Sequence, residues 1–184
     1  MKKIVSYMMT GILLLSFLLT GCGSPEPQTG KKMSMYYINT AETKVEVHEQ
    51  YLNTKTLDEQ LDETMRYLST TPEKLEYKAP LDMGFRVLDY EVEDGKLLIN
   101  VDKAYSELSP TTEVLVRAAI VRTLTQLPNV KYVGITVEDS QLYDNAGELV
   151  GWMNTDQFIN NDGNEINTYE LVKVKLYFAN AAGD

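Results

Sequence analysis

The sequence predicts an α+β domain: a two-layer sandwich in which a mixed β-sheet carries two helices on one face. Three observations predict it. Two stretches repeat apolar residues at helical spacing behind capping signals, several short runs are rich in β-branched and aromatic residues, and Asp94-Gly95 sits between two of those runs. Up to Val137 the order reads β-β-α-β-β-α-β, and helices that are apolar along one stripe must lay that stripe on a sheet.

Each element has a local justification. Met33–Asn39 (Met-Ser-Met-Tyr-Tyr-Ile-Asn) is β-rich, and Val45–Tyr51 alternates strictly, which predicts a second strand with Val45, Val47 and Tyr51 inward and His48 on the other face. Thr56-Leu-Asp-Glu59 is a capping box, in which the Thr56 hydroxyl serves the Glu59 amide and the Glu59 carboxylate reaches back. Leu57, Leu61, Met65 and Leu68 follow at helical spacing, and Ser69-Thr-Thr-Pro72 stops the run. Phe85–Val92 and Leu97–Val101 flank Glu93-Asp-Gly-Lys96, the strongest short signal for a β-hairpin, because both central residues of its turn need positive φ. Ser109-Pro110 supplies a cap and a first-turn proline for a helix over Thr111–Leu127, with Val114, Leu115, Ala118, Val121, Leu124 and Leu127 as its apolar set. Pro128-Asn129 ends it, and Val130–Val137 is the next strand, with Val133, Ile135 and Val137 on one side.

Charge and cysteine usage narrow the function classes. The chain of 184 residues has a formal charge of −10; without its first 21 residues, which hold Lys2 and Lys3 and no acid, 15 bases face 27 acids, giving −12. That balance excludes nucleic acid as an expected partner, since a phosphate backbone must be met by clustered Lys and Arg. Cys22 is the sole cysteine, so the chain forms no internal disulfide and no thiolate metal cluster.

The N-terminus reads as targeting. Met1-Lys2-Lys3 precedes an almost uncharged apolar run from Ile4 to Leu19, the length of a signal-peptide core and short for a membrane span. Leu19-Thr20-Gly21-Cys22 resembles a bacterial lipobox: a branched apolar residue and two small ones allow a peptidase to fit the backbone, and the cysteine sulfur receives a diacylglycerol. The resemblance implies cleavage before Cys22 and fatty-acyl (palmitate-type) anchoring of the mature chain, two chains holding far better than one. Residues 1–21 are thus a lipoprotein signal peptide and 22–32 a Gly-, Ser- and Pro-rich tether.

Chemistry-bearing constellations are sparse. His48, the sole histidine, has no nucleophile beside it in sequence and reads as a surface strand residue. Asp58, Asp62 and Glu63 read as the solvated face of the first helix rather than as metal ligands. Placing Gly163 of Asn160–Glu165 at the glycine of a calcium loop puts Phe158 and Tyr169 at its first and last ligand positions, so this stretch reads as a polar turn. Trp152, beside Gly151 and Met153, reads as a loop residue pinned to the core, with a ligand platform as the alternative. No cofactor motif is present, and no catalytic or metal-binding residues are assigned.

Four pieces in order behind the lipobox resemble GerMN domains, the sporulation and spore-germination module. In Ile120–Val137 a helix ending in Thr-Leu-Thr, then a hydrophobic residue and Pro, leads into a valine-rich strand. Glu93–Asp102 is similar to that family's Asp-Gly hairpin, Met35-Tyr-Tyr-Ile-Asn39 to its opening strand, and Leu142–Met153 to a tail of its lipoprotein members. The resemblance implies one GerMN domain over 33–170, a fold like the ring-building motifs of secretion and sporulation machines, and an assembly role without catalysis. Val172–Asn180 echoes Met33–Asn39, an apolar residue, Tyr, an aromatic, one residue, then Asn. Residues 171–184 are therefore either a strand completing this domain's sheet or the start of a truncated second copy.

The expectation is a non-enzymatic lipoprotein on the extracytoplasmic face of the cell membrane, serving sporulation, germination or envelope assembly through protein partners or self-association. A lipoprotein that binds a small solute or cell-wall fragment is the alternative, and it requires a concave pocket. An extracytoplasmic enzyme using His48 or the acids is the third reading.

Overall fold

A computed structural model describes residues 30–71 and 76–158. Strand β1 (Lys31–Asn39) turns through Glu42 into β2 (Val45–Leu52), followed by helix α1 (Leu57–Leu68) and a short β3 (Tyr77–Lys78). Then come the hairpin β4 (Val87–Glu93) and β5 (Lys96–Val101), a 3-10 turn (Lys103–Glu107), helix α2 (Pro110–Leu124), β6 (Tyr132–Val137), a short β7 (Ser140–Gln141) and a 3-10 turn at Thr155–Gln157. The predicted β-β-α-β-β-α-β order holds for the longer elements, with the two-residue β3 added ahead of the hairpin. Strand β1 starts at Lys31, two residues before the predicted Met33, so Lys31 and Lys32 belong to the sheet rather than to the tether.

The predicted helix ends are seen in atomic detail. Thr56 Oγ1 accepts from the Glu59 amide and the Glu59 carboxylate accepts from the Thr56 amide, each at 3.3 Å. Ser109 caps α2 by accepting from the Thr112 amide, with Pro110 in the first turn. Helix α2 closes at Leu124, where Thr125 caps it, rather than at Leu127. Of the expected apolar set, Ala118, Val121, Leu124 and Leu127 are buried and Leu115 packs against the core, whereas Val114 is exposed. Thr112, Val116, Ala119, Ile120 and Thr123 are buried in addition, so the C-terminal half of α2 is covered on most sides.

The strands form two sheets instead of the single predicted one. The first is antiparallel, in the order β2-β1-β3; the second is mixed, in the order β4-β5-β6-β7, with β5 and β6 parallel. Helix α2 explains the division. Where another strand would pair with β1, the Gln126 side chain just past α2 accepts from the Ser34 amide at 3.0 Å and donates to the Ser34 carbonyl at 2.7 Å. Thr123 accepts from the Tyr36 amide at 3.0 Å. These side chains satisfy the ladder groups of β1, so its edge is closed to β5 or β6. Both helices pack on β1 and β2 and on each other, α2 also reaches β6, and one hydrophobic core runs from Met33 to Met153.

Beyond Val45, which packs against the core opposite the buried Ile38 as expected, strand β2 has the opposite facing from the one predicted. Met33, Met35 and Tyr37 of β1 point inward, and their cross-strand partners are Gln50, His48 and Glu46. Directly opposed residues share a face, so the polar row of β2 is its helix side. Val47 lies on the other side, 56% exposed. The inward row is anchored by Leu52, fully buried, and by Gln50, which donates to the Tyr67 hydroxyl at 3.0 Å. Glu63 is likewise no part of a solvated face. It is buried, and its carboxylate accepts from the Asn53 and Thr54 amides and the Thr54 hydroxyl, tying α1 to the end of β2.

Candidate interaction surface

The second sheet has one buried face and one open face. Leu97, Ile99, Val101, Val133 and Ile135 enter the core. Alternation puts Lys96, Leu98 and Asn100 of β5, and Tyr132, Gly134 and Thr136 of β6, on the opposite face, joined across the β4 register by Asp89, Glu91 and Glu93. In the turn between β4 and β5, Asp94 (φ 49°) and Gly95 (φ 81°) have the positive φ pair that a two-residue hairpin requires.

Trp152 sits at the centre of this open face, and backbone pairing puts it there. Met153 exchanges two 2.8 Å hydrogen bonds with Val133, a single antiparallel bridge on the edge of β6. The Met153 side chain is buried in the core, so its neighbour Trp152 is directed to the other side of the sheet. There the indole lies on Gly134. A Cβ at that position would stand 2.8 Å and 2.9 Å from Cζ3 and Cε3 of the ring, so only glycine leaves room. The Lys96 ammonium lies 5.3 Å from the ring centroid, within cation–π range.

Two shallow grooves flank the ring. Leu98, Gly134, Thr136, Leu142 and Leu149 line an apolar one of about 220 Å³. Glu91, Glu93, Asp94 and Lys96 line a charged one of about 280 Å³. Both fall below the usual range of small-molecule pockets, roughly 300–1,000 Å³, and both are open to solvent. Around them Tyr132, Tyr143, Leu149 and Trp152 are each between 41% and 56% exposed. Aromatic anchors with a charged rim are the composition of a protein-binding patch.

Buried polar groups hold this face rigid from behind and from the side. Asn100, almost fully buried, uses both ends of its amide. Nδ2 donates to Asp89 at 3.1 Å and Asp139 at 2.7 Å, and Oδ1 accepts from the Asp139 amide at 3.0 Å. This pins the turn at Glu138 and Asp139, both with positive φ, to β5. On the core side, Tyr105 donates to Glu113 Oε1 at 2.9 Å, and Arg117 donates from Nη2 to Glu113 Oε2 at 2.8 Å. Arg117 Nε stands 2.6 Å from Oε1 but off the hydrogen-bonding direction. Burial, followed by the Glu113 carboxylate, pushes the Tyr105 hydroxyl well above its ordinary pKa. Arg117 Nη1 also reaches Met153 Sδ at 3.9 Å, so the buried cluster backs the residue that seats Trp152.

Other residues singled out in the sequence are not brought together. His48 lies half-buried opposite Met35, Asp62 accepts from the Tyr90 hydroxyl at 2.8 Å, and Glu63 is consumed by the loop before α1. Among the described residues no three His, Cys, Asp or Glu side chains form a metal-binding group, and no helix is long and apolar enough to cross a membrane. Leu19, Thr20, Gly21 and Cys22, the turn at Asn160–Glu165 and residues 171–184 lie outside the described residues.

Fold and surface together define an α+β module with an open aromatic face. The chain belongs to the Germane family, described as sporulation and spore germination, which matches residues 34–143. It is similar to the first GerMN domain of the sporulation protein GerM from Bacillus subtilis, at 14% identity and a TM-score of 0.53, over 69% of this chain and 98% of that one. It is also similar to the tandem GerMN domains of the same protein, at 18% identity and a TM-score of 0.49, over 73% of this chain and 49% of that one. The chain thus spans about half the length of the tandem structure. No curated protein matches it. Trp152 falls beyond the matched 34–143 stretch, so the aromatic face combines family strands with a segment outside the match.

Proposed function

We propose that the chain is an extracytoplasmic lipoprotein whose GerMN domain works by contact and not by turnover, in sporulation, spore germination or envelope assembly. Leu19-Thr20-Gly21-Cys22 directs cleavage and acylation of Cys22, and the residues up to Gly30 tether the domain to the membrane. The protein partner, or a second copy, meets the open face of the second sheet. The single observation that carries the reading is the seat of Trp152: a large aromatic held on Gly134 yet 42% exposed, amid other half-exposed aromatic and apolar side chains. Solute binding is less well supported, because both grooves beside that ring are shallow and small.

The anchoring half is tested by feeding cells an alkyne-tagged fatty acid and fractionating them. The wild-type chain is expected to carry the label in the membrane fraction, and Cys22→Ala to lose both label and membrane retention. Label persisting in Cys22→Ala would refute the assignment of that thiol.

A further inference from the structure

Among the described residues, two long strands have an unpaired edge, β2 and β4. The second edge of β1 is occupied by β3, Thr123 and Gln126, and that of β6 by β7 and Met153. The edges of β2 and β4 differ in charge. On β2, Glu46 and Glu49 already have lysine partners in Lys44 and Lys32, at 2.5 and 2.7 Å. On β4, Glu91 and Glu93 project from the open face, and no ion pair within the described residues reaches either. On the core side of β4, Tyr90 and Val92 are only half-buried, and Leu88, at the bulge, is 48% exposed. The edge lacks an apolar cover on one face, and on the other its two acids have beside them only Lys96, whose ammonium lies over the Trp152 ring.

The chain contains a segment of that pattern. In Leu171-Val-Lys-Val-Lys-Leu-Tyr-Phe178 an extended backbone puts Val172, Val174 and Leu176 on one side and Lys173 and Lys175 on the other. We propose that this segment adds to the free edge of β4 as a further strand of the second sheet, with Val172, Val174 and Leu176 covering Tyr90 and Val92 and the two lysines meeting Glu91 and Glu93. Of the two readings open for residues 171–184, this one completes the sheet, and it stands independently of the membrane anchor.

Reach and charge both favour this occupant. From the Met153 position across β6, β5 and β4 to a new strand is four strand spacings, about 19 Å. Ile159–Glu170, twelve residues, spans up to about 40 Å when extended. A second copy pairing edge to edge through β4 would bring Glu91 and Glu93 against the same acids of its partner, which is unfavourable. The edge of β2 offers no free acids to the lysines.

Backbone hydrogen exchange in the full chain tests the proposal. Lys173→Glu/Lys175→Glu is expected to lower protection of the Val87–Glu93 amides about tenfold and leave Val45–Leu52 unchanged. Adding Glu91→Lys/Glu93→Lys, which restores opposite charges, is expected to recover most of that protection. Removing residues 171–184 must reproduce the loss. Unchanged β4 exchange after charge reversal or truncation overturns the proposal, as does a loss confined to β2. Protection of β4 that disappears on dilution would assign the edge to a second copy and overturn it equally.

Discussion

Gly134 and Trp152 form a pair in which the smallest residue makes the largest one usable. A methyl group at 134 would overlap the indole, so Gly134→Ala must lift the ring or shift β6. Because Trp152 is the sole tryptophan, its fluorescence reports the change directly. Gly134→Ala is expected to red-shift the emission and raise iodide quenching while costing about 1–3 kcal/mol of stability. An unchanged spectrum would mean that the ring is not seated there. This seat was illegible in the sequence. Trp152 and Gly134 are eighteen positions apart, and nothing in either local stretch announces a bridge between Val133 and Met153. The reading of Trp152 as a loop residue pinned to the core fits its neighbour Met153, whereas the indole itself lies on the open side of the sheet. Asn100 was equally silent, since its role depends on Asp89 arriving from β4 and Asp139 from the turn after β6.

The elements were legible wherever the signal is local. The Thr56–Glu59 box, the Ser109-Pro110 start and the Asp94-Gly95 turn depend on neighbours within four residues, and all three are present as read. Thr56→Ala should cost about 1 kcal/mol, visible as a lower urea midpoint with an unchanged slope; no shift would show that the cap is dispensable. Facing and sheet membership were legible only in part. The valines of β2 suggested an inward face, but register with Met33, Met35 and Tyr37 assigns that side to Glu46, His48 and Gln50. The split into two sheets rests on Gln126, whose strand-like pairing with Ser34 spans 92 positions.

Glu42 joins elements in the same non-local way, bonding Lys78 of β3 and the Thr112 hydroxyl of α2. The Lys78 ammonium, followed by the Thr112 hydroxyl, holds its carboxyl below the usual range; the Arg86 guanidinium does the same for Asp102. A depressed folded-state pKa gives stability that is complete above the unfolded value, about 4, and is lost as pH falls through the folded one. The thermal midpoint should therefore drop on acidification below about pH 4. The double variant Glu42→Gln/Asp102→Asn should show a flatter acid limb that converges with wild type at low pH. Parallel curves would count against both contacts.

For the whole molecule, the family match, the fold and the distribution of surface groups point the same way. One core fixes the two sheets and two helices, and the described residues place their half-exposed aromatics mainly on one side, around β6 and the segment that returns to it. On the proposed function such a domain acts by what it touches, and a membrane tether at Cys22 would concentrate those contacts at the envelope. The central claim is that the open face of the second sheet is the working surface. It is tested most directly by placing a photoreactive amino acid at Tyr132 on that face and, as control, at Val47 on β2, then irradiating intact cells. The account predicts a discrete protein adduct from position 132 and none from 47. Equal adducts from both positions, or none from 132, would contradict it.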